Sequence, residues 1–578
     1  MHTYGDGETE HMGDLLVRGG TIIDGTGAPA RRGDVRVRNG KIAEVGENLR
    51  PEGEQELDAG GAIVAPGFID IHTHYDGSMW WDQTMDPSPQ HGVTTVLTGN
   101  CAVSLAPVAP GGRDALVDMF CFIEDVPVPA VMKSVPWAWE SWAEQRDVFN
   151  NLGASCNITP LVGHNNIRLA VMGQESFERA ATDEERQRIY DLTLDCMRAG
   201  AYGVSLSFVD SDSKGRRVPS RLASAEEYRD LAIAMNEVGY GLLQYVPRFM
   251  RAESYIKDID RVDAMCKGLG VPHTYAPLVA GRRNRPMAEE VLAHTRAVRA
   301  AGGRLWPQVS PRSGFDSRMV FDGSSLSFGA MPSWASMCMA QGADKVAMLA
   351  DPAWREKARQ EWDSPVFVLF PRKAVGKLLI GEVLQPHLKQ FESKLFESVL
   401  EARGGHPSDV LAQWILDCDL EPNLVVPGSA DEDRDFLGSL LAADDVLLGA
   451  SDAGAHLLLF CGAGDTTLFL QRHVRERHDL TIEQGVRKLT GLNAEAMGIT
   501  DRGLIAPGLA GDLTIFNLDE LHYDTEKIVM DVPGGYKRFS RPEGGYRATV
   551  VSGEITQQGG VLTEARPGRM LHAGEQGR

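Results

Sequence analysis

Residues 67–78 read GFIDIHTHYDGS, which sets His72 and His74 two apart at the end of the apolar run Ala62–Ile71. In an extended strand alternate side chains share a face, so the two imidazoles point the same way and Thr73 points away. A pair of imidazoles at a strand end is half of a metal site; the structural alternative is two polar residues closing a strand. Four more polar positions stand where strands should end. TGNCAVSLAP places Cys101 after a strand, 27 residues beyond His74. A free cysteine usually serves as a small buried apolar group, yet its thiolate is a strong zinc ligand. LVGHNNIR ends another strand at His164, and ASDAGAH sets Asp452 after VLLGA with His456 four residues on. An aspartate there serves equally well as a helix N-cap. If the strand ends converge, His72, His74, Cys101, His164 and Asp452 have the types and number to hold zinc and leave one position open. Zinc lowers the pKa of a water towards about 7 and polarises a carbonyl, while a neighbouring carboxylate takes the proton. That is the chemistry of amide hydrolysis.

Side chains so far apart in sequence meet only on a scaffold that gathers strand ends. Thr182-Asp183-Glu184-Glu185 has the form of a capping box, with Ile189, Leu192, Cys196 and Met197 at helical spacing, Gly200 as a stop, and the strand AYGVSLSF directly after. Ser224 to Glu227 repeats the box, Leu231 and Met235 the stripe, and Gly239 the stop before YGLLQYV. A third unit runs from Val291 through Gly303 into RLWPQV, and Thr481 to Gln484 opens a last long helix. Repeated helix-then-strand units imply parallel strands with crossover helices. Over roughly 430 residues the expected architecture is an α/β fold, a (β/α)8 TIM barrel whose strand C-terminal ends share one mouth. An open doubly wound sheet is the alternative, although no GxGxxG or P-loop opens any helix. Residues 15–65 read instead as short strands and turns, with a hairpin signal at Asn39-Gly40, and the pattern returns in GLIAPGLAGDLTIFN and RATVVSGEITQQGGVL. The reading is a small β-sandwich from 14–66 and 503–578, a barrel over 67–502, and a large insertion at about 310–440 before the last barrel strand. That insertion is either a lid over the mouth or a peripheral subdomain.

The 578 residues carry a formal charge of −22 and are 43% hydrophobic and 24% charged, as expected of a globular protein of about two domains. Strong acidity without a Lys/Arg cluster argues against nucleic acid and anionic membranes as partners. The polar start MHTYGDGETEHMGD is not a secretory signal, and no stretch of 18 uncharged apolar residues could span a membrane. The eight cysteines are scattered without a CxxC pair, against a disulfide framework. The expected setting is cytoplasmic and the expected partner a small molecule; a homo-oligomer is left open.

Taken together, PGFIDIHTH, SDAGAH and GLIAPGLAGDLTIF resemble the amidohydrolase superfamily, and TGNCAVSLAP, LVGHNNIR and GAYGVSLS are similar to its N-acyl-D-amino-acid deacylase (D-aminoacylase) branch, over about residues 14–520. The resemblance implies that His72, His74, Cys101 and Asp452 hold metal, that Asp452 is also the general base, and that Cys101 takes the bridging place of a carboxylated lysine. It implies the insertion as well. The branch ends its fifth strand in a histidine within a pattern like ATHIR and its sixth within SHLK. Here the segments read LLQYVPRF and PHTYAPLV, which puts Tyr245 and Pro277 at those places and His273 about four residues early. The expected cofactor is therefore zinc, one per chain, the case for a second metal being weak. His164 is then expected to polarise the substrate carbonyl and Tyr245 to line the pocket as a proton donor. Arg168, Arg221 and Arg248 are candidates to grip a substrate carboxylate, because guanidinium matches carboxylate bidentately, and His456 is a further substrate-binding candidate. The favoured activity is metal-dependent hydrolysis of a C–N amide outside peptides, most like that of an N-acyl-D-amino-acid deacylase. One alternative is a one-metal enzyme that opens a cyclic amide, ester or carbamate or cleaves a C–C bond; another is a silent ligand-binding homologue.

Overall fold

Eight short parallel strands form a ring in the computed structural model, which describes residues 13–575 except 315–316, 323–325, 366–367, 369 and 428–430. They are β1 (Phe68–Asp70), β2 (Val93–Thr98), β3 (Asn157–Pro160 and Val162–Gly163), β4 (Gly203–Ser207), β5 (Leu242–Val246), β6 (His273–Tyr275), β7 (Leu305–Val309) and β8 (Leu447–Leu448). Each pairs in parallel with the next in chain order. The seam lies just beyond the ends of β8 and β1: Thr73 bridges Ala453, Asp452 N–H donates to His72 O at 3.1 Å, and His74 N–H donates to Ala453 O at 2.7 Å. Among the described residues no helix is long and apolar enough to cross a membrane.

Strand parity separates two cores. Ile69, Ile71, Leu97, Leu161, Leu242, Trp306 and Leu447 share a buried cluster with Leu492 and Met497 of the helix Gly491–Met497. The residues of opposite parity, such as Val204, Leu206, Leu243 and Tyr245, belong to the larger cluster beneath the surrounding helices. The last helix is not continuous as the sequence suggests. It runs over Ile482–Leu489, breaks at Thr490 (φ −131°, ψ −91°) and resumes at Gly491. The break brings Asn493 Nδ2 onto Ile69 O at 3.0 Å and Leu448 O at 3.2 Å, and a Cβ at Gly491 would lie 2.4 Å from Gly25 O.

Both termini enter one nine-stranded sheet, in which Ile63–Pro66 lies between Leu15–Ile22 and Leu513–Phe516. Part of the C-terminal segment leaves that sheet. The hairpin Lys527–Val532/Tyr536–Ser540 reaches the barrel loops, with Phe539 N–H donating to Leu457 O at 2.9 Å. The end of the chain runs beside β3, where Met570 bridges Ile158. The insertion has its own core around Phe328, Trp334, Trp354, Trp362, Phe370 and Trp414. The helix Arg434–Ala442 at its far end belongs to the barrel layer, since Leu437 and Leu441 join the main cluster.

The capping boxes behave differently from each other. At Thr182 both halves form, with Glu185 returning to the Thr182 N–H. At Ser224 the hydroxyl accepts from Glu227 N–H at 3.2 Å, but the Glu227 carboxylate turns inward. There it meets His164 Nε2 at 2.8 Å and receives a charged hydrogen bond from Arg168. His164 Nδ1 lies 3.1 Å from Ser220 Oγ, so both ring nitrogens are engaged, and His164 and Arg168 are fully buried. This corrects two expectations: His164 is not free to polarise a carbonyl, and Arg168 is not free to bind a carboxylate. A buried guanidinium needs a buried carboxylate, and that demand outweighs half a capping box.

Glu227→Ala is expected to destabilise the protein by about 3–5 kcal/mol, because it strands the Arg168 charge; urea denaturation measures this. Burial lowers the His164 pKa against the pull of Glu227. Burial would raise Glu227, but His164 and Arg168 outweigh it and hold the carboxylate below its ordinary range. Both groups bind fewer protons folded than unfolded, so their stabilisation is lost on acidification from about pH 6.5 downward. Melts at pH 7.5 and pH 5 should show the fall.

Candidate metal centre

The seam brings the sequence's two ends of chemistry together. His72 and His74 follow β1, Cys101 follows β2 and Asp452 follows β8. Cys101, Asp452 and His456 adopt φ of 55°, 54° and 50°, a region L-residues rarely enter, and such backbone is tolerated where surrounding structure fixes it.

The donor atoms converge. Cys101 Sγ lies 3.7 Å from His72 Nε2 and 3.9 Å from His74 Nε2, and the three donors lie within 4.8 Å of one another. Asp452 Oδ1 lies 3.4 Å from His72 Nε2 and 3.6 Å from His74 Nε2. Zinc bonds of about 2.0–2.3 Å in tetrahedral array put ligand atoms roughly 3.3–3.8 Å apart, so these spacings suit zinc. The other ring nitrogens are also held: His72 Nδ1 lies 3.2 Å from Gln308 Oε1, and His74 Nδ1 lies 3.1 Å from Glu124 Oε2. An acceptor at each Nδ1 fixes the proton there and leaves Nε2 as the lone-pair donor, the usual arrangement around a metal-ligating histidine.

Charge is concentrated here. Burial lowers His72 to about 4 against the pull of Asp452. For His74 burial also lowers the pKa, but Glu124 and Cys101 outweigh it and raise the net value. Burial pushes the Cys101 thiol up to about 12 despite His74, so the thiolate form calls for a cation beside the sulfur. Asp452 is held below its ordinary range because His74 and His72 overcome its desolvation. Asp210, half-buried after β4, is raised to about 6, chiefly by burial and against its hydrogen bond from Ser207.

The remaining sequence candidates divide. Tyr245 does not line the mouth. Its strand parity turns it under the helices against Tyr275, Phe208 and His273. The β5 residue that faces inward is Gln244, whose Oε1 accepts from Cys101 N–H at 3.2 Å. On β6 the inward residue is Thr274, which accepts from Gln308 Nε2 at 3.1 Å, while His273 faces outward and Pro277 lies beyond the strand. Neither Gln244 nor Thr274 is a usual zinc donor. Arg248 is committed to Asp258, with Nη2 2.7 Å from Oδ1 and Nε 3.0 Å from Oδ2, which removes it as a carboxylate receptor. Arg221 uses Nη1 on Val209 O and Asp210 O, each at 2.9 Å, and among the described residues its Nη2 and Nε have no hydrogen-bond partner. His456 is half-buried, and its backbone N–H donates to Glu124 O at 2.6 Å. Sequence reasoning missed Glu124, Gln308, Gln244 and Asp210. Gln244 carried a signal, being the one polar residue of LLQYV; Glu124 carried none, because its burial depends on the docking of a helix end.

The chain is similar to proteins of one family along most of its length. The sequence profile of the amidohydrolase family matches residues 55–268 and 413–557. An uncharacterized protein of Mycobacterium tuberculosis is 29% identical over 98% of this chain and 96% of its own. The N-acyl-D-aspartate deacylase of Alcaligenes xylosoxydans xylosoxydans is 26% identical over 97% of this chain and 95% of its own. Among solved structures, a D-aminoacylase superposes with a TM-score of 0.65 at 23% identity, covering 97% of this chain and all of the other. The N-acyl-D-glutamate deacylase of Bordetella bronchiseptica, complexed with zinc and a phosphonate inhibitor, gives 0.63 at 24% identity, covering 97% and 99%. These structural likenesses carry the shared fold.

Because Glu124 holds the His74 ring, Glu124→Ala should weaken zinc binding by about 10- to 100-fold. Competition with a chromophoric chelator reads this without any assay of turnover; unchanged affinity would leave Glu124 a mere helix end.

Proposed function

The chain belongs to the amidohydrolase family of metal-dependent hydrolases, and on that premise we propose that it deacylates an N-acyl-D-amino acid with one zinc held by His72, His74, Cys101 and Asp452. The observation that carries this reading is the convergence of both Nε2 atoms on Cys101 and Asp452 while both Nδ1 atoms are held from behind. When bound, zinc supplies a Lewis acid and makes a water acidic enough to attack at neutral pH. Inward-facing Gln244 and Thr274, in place of stronger donors, support one metal and not two.

The chain's own groups do the rest. Asp452, its side chain one-quarter exposed, is reached by solvent on one side and fixed by the imidazoles on the other. It accepts the proton of the attacking water at a carboxylate oxygen and returns it to the departing nitrogen. Arg221 offers Nη2 and Nε to the substrate's carboxylate, with Nη1 already anchored to the backbone that follows β4. His456 lies beside Asp452 and closes the same wall. Deacylation of N-acyl-D-aspartate and of N-acyl-D-glutamate, the activities named for the two relatives, motivates the D-series as first substrates.

Elemental analysis of the purified protein should give one equivalent of zinc, and Cys101→Ala should lose it. Two equivalents that survive mild chelation would overturn the one-metal reading. Asp452→Asn should fold normally and lose about 10²–10⁴ in turnover; near-normal activity would reduce Asp452 to a structural aspartate. In a panel of N-acetyl-D-, N-acetyl-L- and cyclic amides, amine release is expected from the D-compounds and should vanish in His74→Ala. Hydrolysis of the cyclic amides alone would transfer the assignment to ring opening.

A further inference from the structure

Two glutamines face the interior of the ring, and their amides are used differently. Gln308 on β7 is satisfied at both ends: its Oε1 lies 3.2 Å from His72 Nδ1, and its Nε2 donates to Thr274 Oγ1 at 3.1 Å. Gln244 on β5 is satisfied at one end. Its Oε1 accepts from Cys101 N–H at 3.2 Å, and among the described residues its buried Nε2 has no hydrogen-bond partner. The orientation of this amide is fixed by that bond, because a backbone N–H can meet only the carbonyl oxygen, which assigns the other terminus as NH2. Nε2 therefore presents its N–H groups one amide width from the atom that holds the backbone of Cys101. β5 stands across the ring from β1, so the side chain reaches over the interior to the turn after β2. On its other side Gln244 pairs with Ser205 of β4. Two residues on, Ser207 Oγ donates to Asp210, on whose backbone O Arg221 is anchored. The amide thus lies between the candidate metal centre and the wall that carries Arg221.

A buried donor without an acceptor is costly, and Gln244 is fully buried. Holding the β2 turn does not require that cost. Ser205 holds the same turn through Gly99 O at 2.5 Å and uses its one donor in doing so. The reaction supplies a reason for an amide at this place. Attack on an amide carbonyl moves negative charge onto the carbonyl oxygen, and a donor fixed in position beforehand stabilises that charge best. The groups first expected to polarise the carbonyl are otherwise engaged. His164 has both nitrogens bonded, and Tyr245 lies on the outer side of β5. Gln244 has the inward place on that strand, and Oε1 anchors it to Cys101.

We propose that Gln244 is a catalytic residue, whose Nε2 donates a hydrogen bond to the substrate carbonyl oxygen as that oxygen becomes an oxyanion. The assignment rests on the amide-hydrolase reading for the identity of the reacting group. Water adds to the carbonyl carbon while Asp452 takes its proton, and the C=O π pair moves onto the oxygen, where the Nε2 N–H meets it. The pair then returns, the C–N bond breaks, and the nitrogen leaves with the proton from Asp452. Gln244 neither gains nor loses a proton. Its bond to Cys101 N–H sets the donor in place before the charge develops, so no reorganisation is needed at the moment of reaction.

Two variants of the full-length protein separate this role from support of Cys101. Gln244→Glu keeps an acceptor for the Cys101 N–H and loses the donor; Gln244→Met loses both at nearly the same volume and adds no charge. Three quantities are measured: turnover of N-acetyl-D-amino acids, zinc affinity by competition with a chromophoric chelator, and calorimetric binding of the methylphosphonamidates of D-alanine and D-glutamate. These probes place a tetrahedral phosphorus and a charged oxygen where the carbonyl stood and need no turnover. In the zinc-loaded variants kcat and kcat/KM should fall together by about 10²–10³, and phosphonamidate affinity by a like factor, while Gln244→Glu holds zinc no more weakly than the parent. Undiminished phosphonamidate affinity in either zinc-loaded variant overturns the donor role. Zinc lost from Gln244→Glu in proportion to turnover overturns it as well and reduces Gln244 to a support for Cys101. Phosphonamidate binding that both variants weaken, with no amine released by the parent protein, supports the donor and overturns the deacylase reading instead. A parent protein that neither turns over nor binds the probes overturns both.

Discussion

The backbone seam between residues 72–74 and 452–453 is the constraint on which the rest depends. Two hydrogen bonds, Asp452 N–H to His72 O and His74 N–H to Ala453 O, join parts of the chain separated by some 380 residues. They complete the ring of strands, and they also fix the spacing of three of the four donors. A closed parallel barrel has no free edge, so each strand end is held on two sides and the side chains at its mouth keep their places. The tight spacing of Nε2, Sγ and Oδ1 atoms follows from that rigidity. Four polar groups so close together repel or desolvate one another unless a cation joins them, which is why the same geometry is poor as a structural core and good as a metal cage.

The second layer bears the cost of that concentration. Gln308 and Glu124 each take one imidazole from behind, Gln244 fixes the Cys101 backbone, and Ser451 donates to the buried Asp70 at 2.8 Å. These are residues of strands or of segments locked to strands, so the candidate ligands are oriented by rigid elements. Farther out, Glu227 plays a purely structural part. It abandons the helix start it could have capped in order to neutralise Arg168 and hold His164, and it thereby pins the 219–222 turn that precedes the next helix. A histidine in LVGHNNIR that looks catalytic from its position at a strand end is in fact a buried strut.

The remaining misreadings have one physical source. A strand of five residues offers two faces, and LLQYV can be read with Tyr245 or with Gln244 towards the axis. Only the pairing with neighbouring strands sets that parity, and it turns Gln244 to Cys101 and Tyr245 to the helices. Likewise an arginine shows its charge in sequence but not its partner. Arg168 and Arg248 are consumed by Glu227 and Asp258, while Arg221, a few residues from the first of these carboxylates, is left with donors to spare among the described residues.

By itself the sequence determined the periodic features: alternating strands and capped helices, the all-β segments at both ends, and the HxH, TGNC and SDAGAH motifs whose residue types are those of metal donors. Such features are local, fixed by the spacing of apolar side chains and by the donor atoms a residue carries. Tertiary structure decided everything that depends on a partner distant in the chain. It chose which imidazoles meet a thiol and which a glutamate, and which arginine keeps donors to spare among the described residues. Those outcomes depend on desolvation and on facing surfaces, and neither exists until the ring has closed.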